Sequence, residues 1–314
     1  MLPETPVLPE TPFIIARARV TQVERVSPSF ARISFAGPDI ARFGNPGRAF
    51  DQRIKLIFPP ESGALPELGD IGADWYRSWL ALPEANRGSM RTYSIRYLSA
   101  DTLVIDFVLH LQPGLTGPAS LWASSAAAGD ELLIIGPRRG LPDWGGVEFA
   151  PGDAQEILLA GDETAAPAIA RILEDADASV RGIAFIEVPD PSDALAIDAP
   201  YGVQVRWLPR GAGQVHGEQL IPAVLDYLGA QAEQARVQIE DVAGDELVWE
   251  TPQFSGLGED ILESAAPHGG RYFWIAGESA VVTTLRRHLV RELGIDRTQV
   301  AFMGYWRTGV AMRG

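Results

Sequence analysis

Short segments in the first half of the chain place apolar residues at every second position. In DTLVIDFVLHL (101–111), each odd-numbered position from Leu103 to Leu109 is a large apolar residue. This period of two is typical of a strand with one buried face. Similar strands are predicted at FIIARARV (13–20), ARISFAG (31–37), QRIKLIFPP (52–60), RTYSIRYL (91–98) and DELLIIG (130–136). Glycine, proline and aspartate separate these strands, so the pattern predicts an antiparallel β-barrel over residues 12–140.

The second half of the chain alternates apolar strands with helical segments. EILLAG (156–161) precedes a helical pattern over 164–176, and RYFWIAG (271–277) precedes another over 278–293. Strands that alternate with helices predict a doubly wound parallel α/β domain over residues 154–314. Further strands of this domain are predicted at GIAFIEV (182–188), VQVRWL (203–208) and QVAFMGY (299–305).

Composition and charge narrow the function classes. A length of 314 residues suits two domains. The net charge of −15 makes nucleic acid and anionic membrane surfaces poor partners. The chain has no cysteine, which excludes thiolate metal sites and iron–sulfur clusters, so any electron transfer needs an organic cofactor. No apolar run is long enough to cross a bilayer, and the N-terminus is acidic and proline-rich, so the sequence predicts a cytosolic protein.

The segment RTYSIR (91–96) has residue types that suit a flavin. Arg91 can pair with a phosphate, Tyr93 can cover an isoalloxazine face, and the Ser94 hydroxyl can donate near flavin N5. The alternative is a half-buried strand with surface arginines.

Two strand-to-helix turns are candidates for phosphate binding. In GLTGPASLWA, Thr116 and Gly117 precede a helix with proline at its first position, so its free N–H groups could receive a pyrophosphate. A helix without a ligand is the alternative. LLAGDETAAPAIARIL (158–173) joins a strand to a helix through Asp162 and Glu163, acids that would repel a pyrophosphate. Thr164 is predicted there as an N-cap, and IAGESAVV (275–282) has the same form.

These pieces together resemble the siderophore-interacting protein family of flavin-dependent ferric-siderophore reductases. The matching segments are RTYSIR (91–96), DFVLH (106–110), GPASLWA (117–123), GDETAAPAI (161–169), AGE (276–278) and GYWRTG (304–309). The resemblance implies a ferredoxin-reductase-like architecture, in which the barrel binds FAD and the α/β domain binds NADH or NADPH. It also implies that the flavin carries the chemistry, with no residue needed as a catalytic acid or base.

The resemblance assigns cofactor and substrate residues position by position. The residues expected to contact the cofactors are Arg91, Thr92, Tyr93, Ser94, Val108, His110, Thr116, Gly117, Ala119, Ser120, Asp162, Glu163, Thr164, Glu278 and Trp306. Tyr305 and Trp306 stand where related reductases place an aromatic residue close to the flavin. A basic cleft for negatively charged iron chelates is expected at Lys55, Arg138, Arg139 and Arg307. For Lys55, the one lysine of the chain, an ordinary exposed cation is the alternative.

The predicted function is reduction of Fe(III) in a siderophore by FAD that NAD(P)H has reduced, which releases Fe(II) in the cytosol. A general NAD(P)H:flavin or ferredoxin-type oxidoreductase and a non-enzymatic siderophore-binding protein are the alternatives. Glu187 and Asp190 favour NADH, whereas Arg206 and Arg210 favour NADPH. An electron donor similar to ferredoxin is also open.

Two features receive no functional assignment. His216, His268 and His288 lack the spacing of metal ligands, so no metal site is predicted. The acidic stretch 231–262 has no predicted role.

Overall fold

The computed structural model describes residues 11–44, 47–68, 74–111, 116–141, 145–211, 213–229, 247–252, 254–255 and 270–310. His268 and most of the acidic stretch 231–262 lie outside these residues. Within this part of the chain, no helix is long and apolar enough to cross a membrane.

The first domain is a seven-stranded antiparallel sheet that curls into a half-barrel. Its strands are β1 (Phe13–Ser27), β2 (Phe30–Ala36), β3 (Arg53–Phe58), β4 (Ser89–Ser94), β5 (Tyr97–Leu98), β6 (Leu103–Val108) and β7 (Glu131–Pro137). They lie in the order β4-β3-β7-β1-β2-β6-β5. The helices are α1 (Trp75–Ala81), α2 (Glu84–Arg87) and α3 (Pro118–Ser125), and a 3₁₀ turn covers Ile40–Arg42. The predicted strand at 91–98 is interrupted at Ile95 and Arg96, where the chain passes from one edge of the sheet to the other.

Alternating side chains of the half-barrel form its core. Ile33, Phe35, Ile105 and Phe107 are fully buried, as the period of two predicts. Helix α3 covers this core with Trp122, whose ring stacks on Phe35 with centroids 6.3 Å apart. The core therefore fixes where α3 begins relative to the ends of β4 and β6.

The second domain contains a seven-stranded mixed sheet. Its strands are β8 (Glu156–Gly161), β9 (Arg181–Val188), β10 (Gly202–Pro209), β11 (Trp249–Thr251), β12 (Phe254–Ser255), β13 (Arg271–Glu278) and β14 (Val300–Trp306). They lie in the order β10-β9-β8-β13-β14-β11-β12, and the first five are parallel. The helices are α4 (Ala166–Asp175), α5 (Leu220–Tyr227) and α6 (Ser279–Arg286), and a π-helical turn at Arg287–Glu292 follows α6.

Helices cover both faces of this sheet, as the doubly wound prediction requires. Helix α4 packs on one face, and α5 and α6 pack on the other. The predicted all-parallel sheet is wrong at one edge, because β11 and β12 add an antiparallel hairpin beside β14. Both strands come from the acidic stretch 231–262, to which the sequence assigned no strand, and they have only three and two residues. Strand order reverses between β8 and β13, which is where α/β sheets bind ligands.

Carboxylates of the second domain hold the half-barrel in place. Asp193 accepts hydrogen bonds from the Ser27 hydroxyl (2.6 Å) and the Ser29 amide (2.8 Å). Asp175 accepts the amides of Ala49 (2.7 Å) and Phe50 (2.9 Å). Phe50 is a non-glycine residue with φ +45°, and Asp175 stabilises its left-handed backbone. These contacts bring the end of β6 next to the C-terminal edge of the second sheet.

Candidate functional site

Arg91 on β4 is a half-buried cation without an acidic partner in the described part of the chain. Its guanidinium donates to the Met90 carbonyl (2.7 Å), and no described carboxylate lies within ion-pair distance. Burial lowers the pKa of Arg91 because the charged form loses water. A phosphate group would supply the missing negative charge, so the residue fits the phosphate contact expected of it.

Helix α3 packs on the core of the half-barrel, and no side chain of the described residues caps its N-terminus. Gly117 is the N-cap and contributes no side chain, and Pro118 follows in the first turn. The Ser120 hydroxyl donates to the Val108 carbonyl (2.9 Å) and accepts the His110 amide (3.2 Å). The start of α3, with half-buried Thr116 before it and buried Ala119 within it, is thereby tied to the end of β6. This end of α3 presents free N–H groups, which fits the pyrophosphate of FAD.

The remaining β4 residues face two sides of the strand. The ring of Tyr93 packs 4.6 Å from that of Phe107, and burial raises the pKa of its hydroxyl. Thr92 and Ser94 lie on the opposite face, across from Lys55 and Arg53 of β3. The predicted flavin residues are therefore on one strand, but they do not share one face.

A second group of residues meets at the C-terminal edge of the α/β sheet, where Glu163 is almost completely buried. Its Oε1 lies 3.0 Å from His110 Nε2 and 2.9 Å from His216 Nε2. Arg210 donates to both carboxylate oxygens, at 2.8 and 2.9 Å. We call these four residues the Glu163 cluster. It joins the half-barrel, through His110, to the second domain.

Asp162 organises the aromatic side of the same edge. Its Oδ2 accepts the Trp306 indole N–H (2.9 Å) and the Glu278 amide (2.7 Å). The indole of Trp306 lies between the two imidazoles of the cluster, with centroids 5.7 Å from His110 and 4.7 Å from His216. Gly277 allows this approach, because a Cβ there would lie 2.7 Å from Asp162 Oδ2.

Oxygen atoms of the chain itself accept amides at the starts of the three helices at this edge, from carboxylates in α5 and α6 and from a backbone carbonyl in α4. Asp162 accepts the amide and the hydroxyl of Thr164 (2.8 and 2.5 Å) through its side chain and the Ala166 amide through its carbonyl. Glu187 accepts the amides of residues 217, 219 and 220 at the start of α5. Glu278 accepts those of residues 280 and 281 in α6. A phosphate that binds here meets helix ends that are already satisfied.

Burial and partners shift the titration of these groups in different directions. Burial would raise the pKa of Glu163, but hydrogen bonds from His110, His216 and Arg210 hold it well below its usual value. Burial raises the pKa of Asp162, and the Glu163 charge adds to the rise. Burial would lower the pKa of His216, but its hydrogen bond to Glu163 and the charges of Glu163 and Asp162 raise it.

The predicted substrate residues are distributed over several elements. The Lys55 ammonium donates to the Thr92 hydroxyl (2.7 Å), and burial lowers its pKa, helped by the positive charge of Arg53. Arg138 donates to the Thr11 carbonyl (2.9 Å), and Arg139 to the Phe43 carbonyl (3.0 Å). Their place in a chelate cleft stays a prediction, as does that of half-buried Arg307.

Three sequence interpretations need correction. Glu187 is fully buried against α5 and Arg210, so neither residue is free to recognise a ribose or its phosphate. Thr164 is not the N-cap of α4, because Ala165 occupies that position and the Thr164 hydroxyl turns to Asp162.

The sequence analysis assigned no function to His216, which the structure places in the Glu163 cluster. The glycines that surround His216 in RGAGQVHGE were the available signal for a functional loop.

The acidic stretch contributes Trp249 to the domain interface. The Arg53 guanidinium lies 4.3 Å from the centre of its ring, and Tyr305 stacks beside it at 6.2 Å. Arg53 also pairs with Glu148. The sequence offered no signal for this contact, since β11 has only three residues.

The half-barrel and the attached α/β domain define an FAD-binding oxidoreductase of the ferredoxin-reductase type. The model of the siderophore-interacting FAD-binding domain matches residues 19–141, and that of the siderophore-interacting protein matches residues 154–309. The chain belongs to the siderophore-interacting protein family.

Relatives and solved structures agree with this assignment. An uncharacterized protein of Mycobacterium tuberculosis is 32% identical over 92% of this chain and 89% of its own. The ferric vibriobactin reductase of Vibrio cholerae is 28% identical (90% and 86% covered), and the NADPH-dependent ferric-chelate reductase of Escherichia coli is 29% identical (91% and 91%).

Among solved structures, a siderophore utilization protein from T. fusca has a TM-score of 0.68 at 29% identity, with 96% of this chain and 95% of that chain covered. A ferredoxin NADP+ reductase from Neisseria gonorrhoeae with bound FAD and NADP has a TM-score of 0.56 at 17% identity, with 95% and 100% covered, and supports the fold alone. The predicted fold class, family and use of FAD are confirmed.

Proposed function

We propose that this protein reduces Fe(III) held in a siderophore, with electrons that NADH or NADPH delivers to FAD in the half-barrel. The observation that carries the proposal is the pairing of β3 with β4. Lys55 lies across from Thr92, and Arg53 across from Ser94. Arg53 is paired with Glu148, so an anionic chelate would be attracted by Lys55 and would lie on the face of β4 that carries Thr92 and Ser94, two of the residues expected to contact the flavin.

FAD, when bound, supplies a group that accepts a hydride and gives up electrons singly. The residues position the reactants around it. Arg91 and the N-terminus of α3 would hold the phosphates of FAD, and the C-terminal edge of the second sheet would receive the nucleotide. The oxygen donors of siderophores prefer Fe(III) to Fe(II), so reduction weakens the chelate and releases iron.

Two relatives support this substrate class, namely the ferric vibriobactin reductase of Vibrio cholerae and the NADPH-dependent ferric-chelate reductase of Escherichia coli. The cytosolic location, the basic cleft of Lys55, Arg138, Arg139 and Arg307, and the choice between NADH, NADPH and a ferredoxin-like donor stay predictions.

An anaerobic cycle tests the proposal. The purified protein should show flavin absorption bands, which NADH or NADPH should bleach. A ferric siderophore should then restore the bands while a chromophoric trap reports Fe(II). A protein that added FAD does not colour, or a reduced flavin that ferric siderophore leaves reduced, would contradict the proposal.

Lys55→Ala distinguishes a ferric-chelate reductase from a general flavin reductase. The variant should raise the KM for an anionic ferric siderophore about tenfold, because a local positive charge concentrates an anion. Reduction of a neutral dye should be unchanged. Arg87→Ala, which removes a cation that packs on Trp79, is the matched control. Equal losses with chelate and dye would overturn the chelate site.

A further inference from the structure

The Glu163 cluster contains two imidazoles that are partly exposed to solvent. The side chains of His110 and His216 are 31% and 24% exposed, whereas that of Glu163 is 1% exposed. The Nε2 atoms of both imidazoles lie within hydrogen-bond distance of the same carboxylate oxygen, Oε1 of Glu163. A proton added to His216 would therefore strengthen its contact with Glu163 and add positive charge at the surface of the edge.

The charges around these imidazoles are predominantly negative. The carboxylates at this edge are those of Asp162, Glu163, Glu187 and Glu278. The guanidinium groups are that of Arg210 within the cluster and that of Arg307, which follows Trp306 at its border. Among the described residues, the carboxylates at this edge therefore outnumber the guanidinium groups, and a proton on His216 reduces this excess.

The helix N-termini do not offset this excess. Glu187 and Glu278 already take amides that a phosphate would use in α5 and α6, and in α4 the Asp162 carbonyl takes the Ala166 amide. An anionic nucleotide at this edge must therefore find its positive charge elsewhere.

We propose that the edge binds its anionic nucleotide together with a proton, which His216 takes up. This inference rests on the proposed function, in which NADH or NADPH binds here. A phosphate near the imidazoles favours their charged form, and by linkage the charged form favours the phosphate. The Glu163 carboxylate supports this role, since its hydrogen bond and its charge raise the pKa of His216 against the effect of burial.

Proton uptake makes nucleotide affinity depend on pH. Above the pKa of the imidazole that takes up the proton, the Kd should rise about tenfold per pH unit. Below that pKa the affinity should level off, because the imidazole is already charged.

Isothermal titration of the oxidised holoenzyme measures both effects. ADP-ribose and NADP+ are suitable probes, because they carry the phosphates and cannot reduce the flavin. Titrations in two buffers with different ionisation enthalpies, at several pH values between 6 and 9, give the protons taken up. We expect about one proton per nucleotide near the middle of this range.

His216→Gln keeps a hydrogen-bonding side chain but cannot become charged. It should remove more than half of the proton uptake and flatten the dependence of Kd on pH. The matched control is His288→Gln, because His288 pairs with Glu292 (2.6 Å) on the π-helical turn, outside this edge. It should behave like the wild type.

A Kd that does not change with pH, or proton uptake that His216→Gln leaves intact, would overturn the inference. So would failure of both probes to bind at any pH. Reduction of ferric siderophore by chemically reduced holoenzyme would still succeed in each of these cases if the proposed iron chemistry is right.

Discussion

The two domains treat phosphate binding in opposite ways. In the half-barrel, helix α3 begins without a capping side chain, and Arg91 has no described acidic partner. In the α/β domain, carboxylates of the chain occupy the starts of α5 and α6, and the Asp162 carbonyl accepts the Ala166 amide at the start of α4. A site left open at a cost in stability suits a resident cofactor, because the ligand supplies the missing partner. A site that satisfies itself suits a ligand that must leave after each turnover.

The largest effect is expected from removal of Glu187, which accepts the amides at the start of α5 in the α/β domain. Glu187→Ala leaves Arg210 with one carboxylate partner and leaves three backbone amides without an acceptor. We expect a loss of about 3–5 kcal/mol in the free energy of unfolding, measured in urea. FAD affinity should not change. Glu218→Ala, an exposed acid in the same loop, is the control. A loss of FAD affinity at unchanged stability would contradict the distinction.

Removal of Arg91 tests the phosphate site expected in the half-barrel. Arg91→Ala should weaken FAD binding roughly 100-fold, since it removes a charge-assisted contact to phosphate. Flavin fluorescence during reconstitution of the apoprotein measures the change, and thermal stability of the apoprotein should be retained. Arg19→Ala removes an exposed cation that pairs with Glu131 on the same half-barrel, and it should bind FAD normally. Normal FAD binding by Arg91→Ala would exclude the phosphate contact.

A carboxylate introduced at the start of α3 would accept the helix amides that a phosphate of FAD is expected to use, as Glu278 does in α6. The backbone of Gly117 suits any residue, and nothing lies within 4 Å of an added Cβ. Gly117→Asp should cap α3 and weaken FAD binding about tenfold through repulsion of its phosphates. Gly117→Asn caps without charge, so the difference between the two variants isolates the electrostatic contribution. Equal FAD affinities would show that this helix end does not meet a phosphate.

The smallest expected effect is on the pH dependence of stability. The raised pKa of His216 stabilises the fold below about pH 6.5, the value of an unfolded histidine, and this contribution is lost as pH rises through the folded pKa. His216→Gln should therefore remove part of the decline in unfolding free energy above pH 6.5. Buried Asp51, whose pKa burial raises to about 6, affects stability below this window. Parallel stability curves for wild type and variant would contradict the assignment.

The sequence predicted most of the strands and the helices α3, α4 and α6, because their apolar periods follow directly from burial. It also assigned Arg91 and the start of α3 to one predicted FAD site, since each of the two motifs is a continuous segment of the chain. It could not predict the Glu163 cluster. His110 and His216 each lie 53 residues from Glu163, and His110 belongs to the other domain. Glu187 stands at a position typical of a ribose contact, but its side chain turns inward to the start of α5.

The most direct test uses reduced protein without any nucleotide. The bound flavin is reduced photochemically under anaerobic conditions and mixed with a ferric siderophore in a stopped-flow instrument. The account predicts that flavin absorption returns while Fe(II) appears, with one ferrous ion for each electron the flavin gives up. A flavin that stays reduced in the presence of excess ferric siderophore would contradict the central claim that this protein is a ferric-siderophore reductase.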